Sequence, residues 1–61
     1  MKAHYLRVTY TDGDVIDIYI TDGMRAKKMA MDIAKVMLTD EVVEMHLIYD
    51  NKVIQTINTG E

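Results

Sequence analysis

The sequence predicts an α+β fold of ββαββ type, a four-stranded sheet with one helix packed on one face. Three observations predict it. Positions 4–10 and 14–20 are rich in Tyr, Val, Ile and Thr and are separated by a Thr-Asp-Gly triplet. Positions 42–49 and 52–58 repeat that character around Asp50-Asn51. Between them, positions 22–38 carry the sustained helical period of the chain. A hairpin, a helix and a hairpin bury their apolar surfaces most simply as two layers.

In the first pair of strands, the turn selects the register. A two-residue Asp12-Gly13 turn would put Leu6 and Val8 on the opposite face from Ile16 and Ile18. A three-residue loop, Thr11-Asp12-Gly13, with Gly13 left-handed in a G1 bulge, pairs Val8 with Ile16 and Leu6 with Ile18. The aliphatic residues then share one face. On the other face Arg7 meets Asp17, Tyr5 meets Tyr19 and Thr9 meets Val15; opposite charges and aromatic pairs are favourable cross-strand neighbours.

The helix has two candidate N-caps, Asp22 and Thr21, whose side-chain oxygens can accept a free backbone N–H of the first turn. Ala26, Met29, Ala30, Ile33 and Met37 fall on one face, with Arg25, Lys28, Asp32 and Lys35 opposite. This predicts Ile33 as a buried residue against the sheet. Thr39-Asp40 marks the expected stop, without a glycine C-cap. Met24, Met31 and Leu38, seven residues apart, form a second apolar stripe well around the helix. It reads either as loop-covered ends with one exposed Met31, or as a partner-binding stripe, because methionine adapts to irregular surfaces.

In the second pair of strands, Val43, Met45, Leu47 and Tyr49 are the expected core face. A two-residue turn at Asp50-Asn51 sets Leu47 opposite Ile54 and Met45 opposite Thr56. Ile48 then lies beside Val53, and Glu44 beside Ile57, on the outer face. A three-residue loop swaps the face of the last strand. Both registers are open to the sequence.

The layout is similar to the β-grasp of small immunoglobulin-binding domains, and this likeness implies the strand order 2-1-4-3. It is a likeness of architecture and carries no function. A rival order places the second and third strands centrally, because 15–20 and 42–49 are the most apolar.

Composition bounds the function. Sixty-one residues make one domain, 1–61, too short for a deep pocket. With 49% hydrophobic residues the chain is expected to fold. Without cysteine it has neither a disulfide framework nor a Cys-based zinc site. Small scaffolds of this kind often oligomerise, so a homodimer is expected. A net charge of −3 argues against a generic nucleic-acid binder. No apolar run approaches membrane-spanning length, and the N-terminus enters a strand pattern directly, which suggests a cytoplasmic protein without membrane association.

Candidate chemistry is sparse. His4 and His46 lack metal-ligand spacing and are expected to be solvated. Asp12, Asp14 and Asp17 lack the length and terminal glutamate of a calcium loop and read as turn chemistry. The 22–28 helix start, with Arg25, Lys27 and Lys28, could draw a phosphate, but the Asp22 carboxylate competes for the same N–H groups. No nucleophile–base pair and no glycine-rich loop occurs, so the expectation is a non-enzyme without cofactor or metal.

The surface that remains is the outer sheet face. It is expected to show Tyr5, Tyr19, Val15, Ile48, Val53 and Ile57 with Arg7, Asp17, Glu44 and His46. Such a patch suggests a protein-binding module, of the kind found in phage-type inhibitors or antitoxin-like regulators of a host factor. Tyr5, Tyr19 and Ile48 would anchor the contact, Asp17 and Glu44 would steer a basic partner, and His46 would border it. The Met24, Met31 and Leu38 stripe is the second candidate surface. The alternative function is single-stranded nucleic-acid binding, with the tyrosines stacking bases and Arg7 meeting phosphate.

Overall fold

Tyr10 N–H donates to the Asp14 carbonyl at 2.9 Å, and Gly13 N–H donates to the Tyr10 carbonyl at 3.0 Å. These two bonds close the first hairpin with Gly13 at φ +94°, the bulge geometry that a residue without Cβ adopts most readily. The computed structural model describes residues 3–57. It contains β1 (His4–Tyr10), β2 (Val15–Ile20), a 3-10 turn (Gly23–Arg25), α1 (Ala26–Met37), β3 (Val42–Tyr49) and β4 (Lys52–Ile57). Position 58 of the expected last strand lies outside the described residues. The register of β1 with β2 runs from His4 opposite Ile20 to Thr9 opposite Val15, as the face argument requires.

The four strands form one antiparallel sheet in the order β2-β1-β3-β4. The class is α+β, but the order is neither that of the β-grasp nor that of the rival with β2 central. Side chains on the helix-facing side give the physical reason. β1 contributes Leu6 and Val8 and β3 contributes Met45 and Leu47, and these four are the largest fully buried side chains. β4 places Lys52 and Gln55 opposite Tyr49 and Leu47 on that same side. A strand with lysine there belongs at an edge, where that ammonium can reach water. β2 and β3 consequently run parallel with β1 between them, and α1 spans that gap.

Two bulges reset which residues face inward. Thr9 pairs with Glu44 but Tyr10 pairs with Val42, so Val42 and Val43 together stand against one step of β1. Val42 is therefore buried and Val43 exposed, the reverse of the expected phase at this end of β3. In the second hairpin Asp50 and Asn51 both adopt positive φ, 55° and 63°, giving the two-residue turn. Ile48 pairs with Val53, but the next step pairs Leu47 with Gln55, leaving Ile54 as the additional residue. The expected pairs Leu47–Ile54 and Met45–Thr56 are thus replaced by Leu47–Gln55 and Met45–Ile57. Ile57 moves from the expected outer face into the core, where it is buried.

Asp22 caps the helical segment as expected, its Oδ1 accepting the Met24 N–H at 3.2 Å. The regular α-helix ends at Met37, and Leu38 is already extended. Thr39 then closes the turn into β3, its Oγ1 accepting from Glu41 N–H and its carbonyl from Val42 N–H. The buried line of α1 is Ala26, Ala30 and Ala34. Met29, Ile33 and Met37 are only partly buried beside it. The expectation that Ile33 sits at the centre of the interface is corrected accordingly. Alanines spaced by four residues form a smooth strip that lets the helix approach the sheet closely, and longer side chains fill the flanks.

Candidate interaction surface

The alternation of β1 and β3 sends their remaining side chains to the face opposite α1. Pairing aligns these residues in three rows across the sheet. The first row is Tyr19, Tyr5, Ile48 and Val53. The second is Asp17, Arg7, His46 and Thr56. The third is Val15, Thr9 and Glu44. The sequence-predicted residues Tyr5, Asp17, Tyr19, Glu44, His46 and Ile48 are therefore brought together on one surface.

Within it the aromatic pair is stacked. The Tyr5 and Tyr19 ring centroids are 5.5 Å apart with an interplanar angle of 27°. The Arg7 guanidinium lies 5.4 Å from the centroid of Tyr5, within cation–π range. Arg7 also grips Asp17 with two bonds, Nε to Oδ1 at 2.9 Å and Nη2 to Oδ2 at 3.2 Å. The bond to Asp17, and then the negative charge of that carboxylate, raise the Arg7 pKa above its ordinary value. His46 is held on both ring nitrogens. Nε2 meets Glu44 Oε1, and Nδ1 lies 3.3 Å from Thr56 Oγ1. A carboxylate only accepts, so Nε2 carries the proton, and in the neutral ring Nδ1 accepts from the Thr56 hydroxyl. His46 is thus anchored by partners rather than freely solvated.

Exposure distinguishes the roles of the three expected anchors. Tyr19 is 68% exposed, whereas Ile48 is 5% exposed, flanked in the sheet by Tyr5 and Val53. Ile48 forms the floor of the row, and Tyr19 is the side chain that projects from it. Tyr19 also borders a cleft of about 410 Å³ at the sheet end, which Ile20, Thr21, Gly23 and Tyr49 help to line.

The residues of the helix stripe border two separate hollows. Met24, 98% exposed, lines an open cleft near Ile54. Met31 and Leu38 instead border a hollow of about 80 Å³ with Ala34, Met45 and Ile57. Gln55 Nε2 donates to Met31 Sδ at 3.9 Å. Met31 is exposed as expected, 38%, and with Leu38, 43% exposed, it borders the β4 side of the core. Val36, 82% exposed on the helix, lay outside both expected stripes.

The remaining candidates resolve into structural roles. His4 lies on the helix-facing side, stacked on Tyr49 with centroids 4.2 Å apart and packed below Gly23. It is half-buried rather than solvated, and the sheet separates it from His46. Asp12 Oδ1 accepts the Asp14 N–H at 3.0 Å, the expected turn chemistry. Among the described residues, no group of three or more His, Cys, Asp or Glu is arranged to hold a metal ion. No helix among them is long and apolar enough to cross a membrane. Comparison with protein-family models, with curated proteins and with solved structures finds no match.

Proposed function

We propose that this chain is a small cytoplasmic protein-binding module that works by covering a surface on a partner, in the manner of an inhibitor or antitoxin-like regulator. The observation that supports this most directly is the Tyr19–Tyr5–Ile48–Val53 row, with a projecting tyrosine at one end and a buried isoleucine as its floor. Tyrosine and arginine are the residue types that anchor protein interfaces, and the adjoining Asp17–Arg7–His46 row supplies a polar rim. The same face disfavours a single-stranded nucleic acid. Its two tyrosine rings stack on one another, and its arginine is tied to Asp17. A homodimer joined through this face is the second form of the same reading.

Affinity purification from the native host, with three forms of the protein, tests the proposal. A partner retained by the wild type and by Met31→Ala but lost with Tyr19→Ala supports the outer face. Retention by all three forms overturns it. Sedimentation equilibrium over a micromolar range decides the dimer, and a monomer at every concentration removes that form. A mobility shift of single-stranded DNA or RNA at low salt would move the reading to nucleic acid.

A further inference from the structure

The two edges of the sheet are built differently. β4 carries the devices that block strand addition: a bulge at Ile54, and Lys52 on the helix-facing side. Met31 also leans onto this edge through Gln55. β2 has none of them. Its six residues pair with β1 in unbroken register, and among the described residues they pair with no other strand. Its one charged residue, Asp17, is held by Arg7 of the neighbouring strand. Val15, Ile16 and Tyr19 are exposed along it.

The alternation of the ladder says which backbone groups are free to bond. Tyr10 N–H donates to the Asp14 carbonyl across the bulge, so the even-numbered residues Ile16, Ile18 and Ile20 turn their backbone groups toward β1. The N–H and C=O groups of Val15, Asp17 and Tyr19 therefore point away from the sheet.

The charge around this edge identifies what fits it. From position 11 to position 22 the chain has four aspartates, Asp12, Asp14, Asp17 and Asp22, and no lysine or arginine. A second copy pairing antiparallel about Asp17 would set Asp17 against Asp17. Pairing about Ile18 would set Asp14 against Asp22. Like charges directly opposite are unfavourable, so the edge disfavours its own copy. A basic strand has the complementary charge.

We propose that β2 is a strand-addition site for an extended, basic segment of another protein, bound antiparallel through the backbone of Val15, Asp17 and Tyr19. Its residue opposite Asp17 is arginine or lysine, and the residues on either side, which meet Ile16 and Ile18, are aliphatic. Main-chain bonds supply affinity in this mode and the alternating side chains supply selectivity. The inference rests on the protein-binding reading, and it specifies both the partner's chemistry and an edge beside the outer face.

The test uses the whole chain and a short capped peptide with arginine at its centre, isoleucine on either side, valine next and lysine at both ends. Amide chemical shifts and hydrogen exchange are followed to about 1 mM peptide, the weak end of specific binding. The expected result is shifts at the Val15, Asp17 and Tyr19 amides. Their exchange should slow about tenfold when peptide stands tenfold above its Kd. A peptide with glutamate at the three basic positions should fail, as should one N-methylated on the residues facing the edge. No shift at these amides, equal binding of the acidic or N-methylated peptide, or binding at Lys52–Ile57 instead would overturn the proposal. So would concentration-dependent protection of the same amides without peptide, which would make the occupant a second copy. Tyr5→Ala separates the two readings. It removes an outer-face anchor that stacks on Tyr19 and leaves the outward backbone groups of Val15, Asp17 and Tyr19 on β2, so peptide shifts that survive it keep the edge while loss of the host partner tests the face.

Discussion

Arg7 and Asp17 face one another across β1 and β2, joined by two parallel bonds of 2.9 and 3.2 Å. The fork of a guanidinium matches the two carboxylate oxygens, which a lysine ammonium cannot do. Both side chains remain partly exposed, 41% and 32%, so salt screens the pair. Arg7→Lys is expected to lower the melting temperature at low salt. The difference from wild type should narrow as ionic strength rises to about 1 M, where the Debye length falls to about 3 Å. A difference that does not change with salt would assign the effect to packing against Tyr5.

Gly13 sits at φ +94°, and a Cβ added there would meet nothing within 4 Å. The cost of substitution is therefore backbone strain alone. Gly13→Val should destabilise the fold by about 1 kcal/mol or more, because a β-branched residue resists positive φ. Gly13→Asn should cost less, since asparagine tolerates this region. Thermal melts of the two variants check the order.

The alanine strip of α1 predicts an inversion of the usual size rule. Ala30 is fully buried, so Ala30→Leu should overpack the helix–sheet layer and cost about 1–3 kcal/mol. Leu47→Ala, at a fully buried β3 position, should cost about 2–5 kcal/mol. Ile33 is only partly buried, so Ile33→Ala should fall below the Leu47→Ala value. Urea unfolding of the three variants measures this order, and Ile33→Ala as the most damaging would restore Ile33 to the centre of the interface.

Gln55 carries a buried amide oxygen with no hydrogen-bond partner among the described residues. Its Nε2 donates to the weak acceptor Met31 Sδ. Gln55→Leu should therefore stabilise the protein by about 1 kcal/mol, since an unsatisfied buried polar group costs about that or more. A destabilised Gln55→Leu would mean that the amide has a role in holding Met31.

What the sequence alone determined was local. The three-residue Thr11-Asp12-Gly13 loop and the phase of the cross-strand pairs select one register for β1 and β2, because turn geometry and side-chain alternation act within a few residues of each other. The Asp22 cap was legible for the same reason, whereas the loop at Asp50-Asn51 stayed open between two and three residues until the backbone showed both residues at positive φ. The gathering of Tyr5, Tyr19, Arg7 and Asp17 on one face followed from that register and needed no knowledge of the other strands.

Only the tertiary structure decided the strand order, the two bulges and the rotation of the helix. β1 and β3 are far apart in the chain, so no turn links their register. Val42 and Ile57 turn inward because the core beneath α1 accommodates them beside Tyr10 and Met45, and Val43 and Ile54 are displaced in consequence. An apolar period shows that a helix has a buried side, but side-chain size against the opposing sheet decides which residues form its centre. Here Ala26, Ala30 and Ala34 let the layers approach, and the larger Ile33, Met31 and Leu38 move to the flanks. The contrast between a blocked β4 edge and an open β2 edge arises at this same level, because a bulge exists only relative to the strand it pairs with.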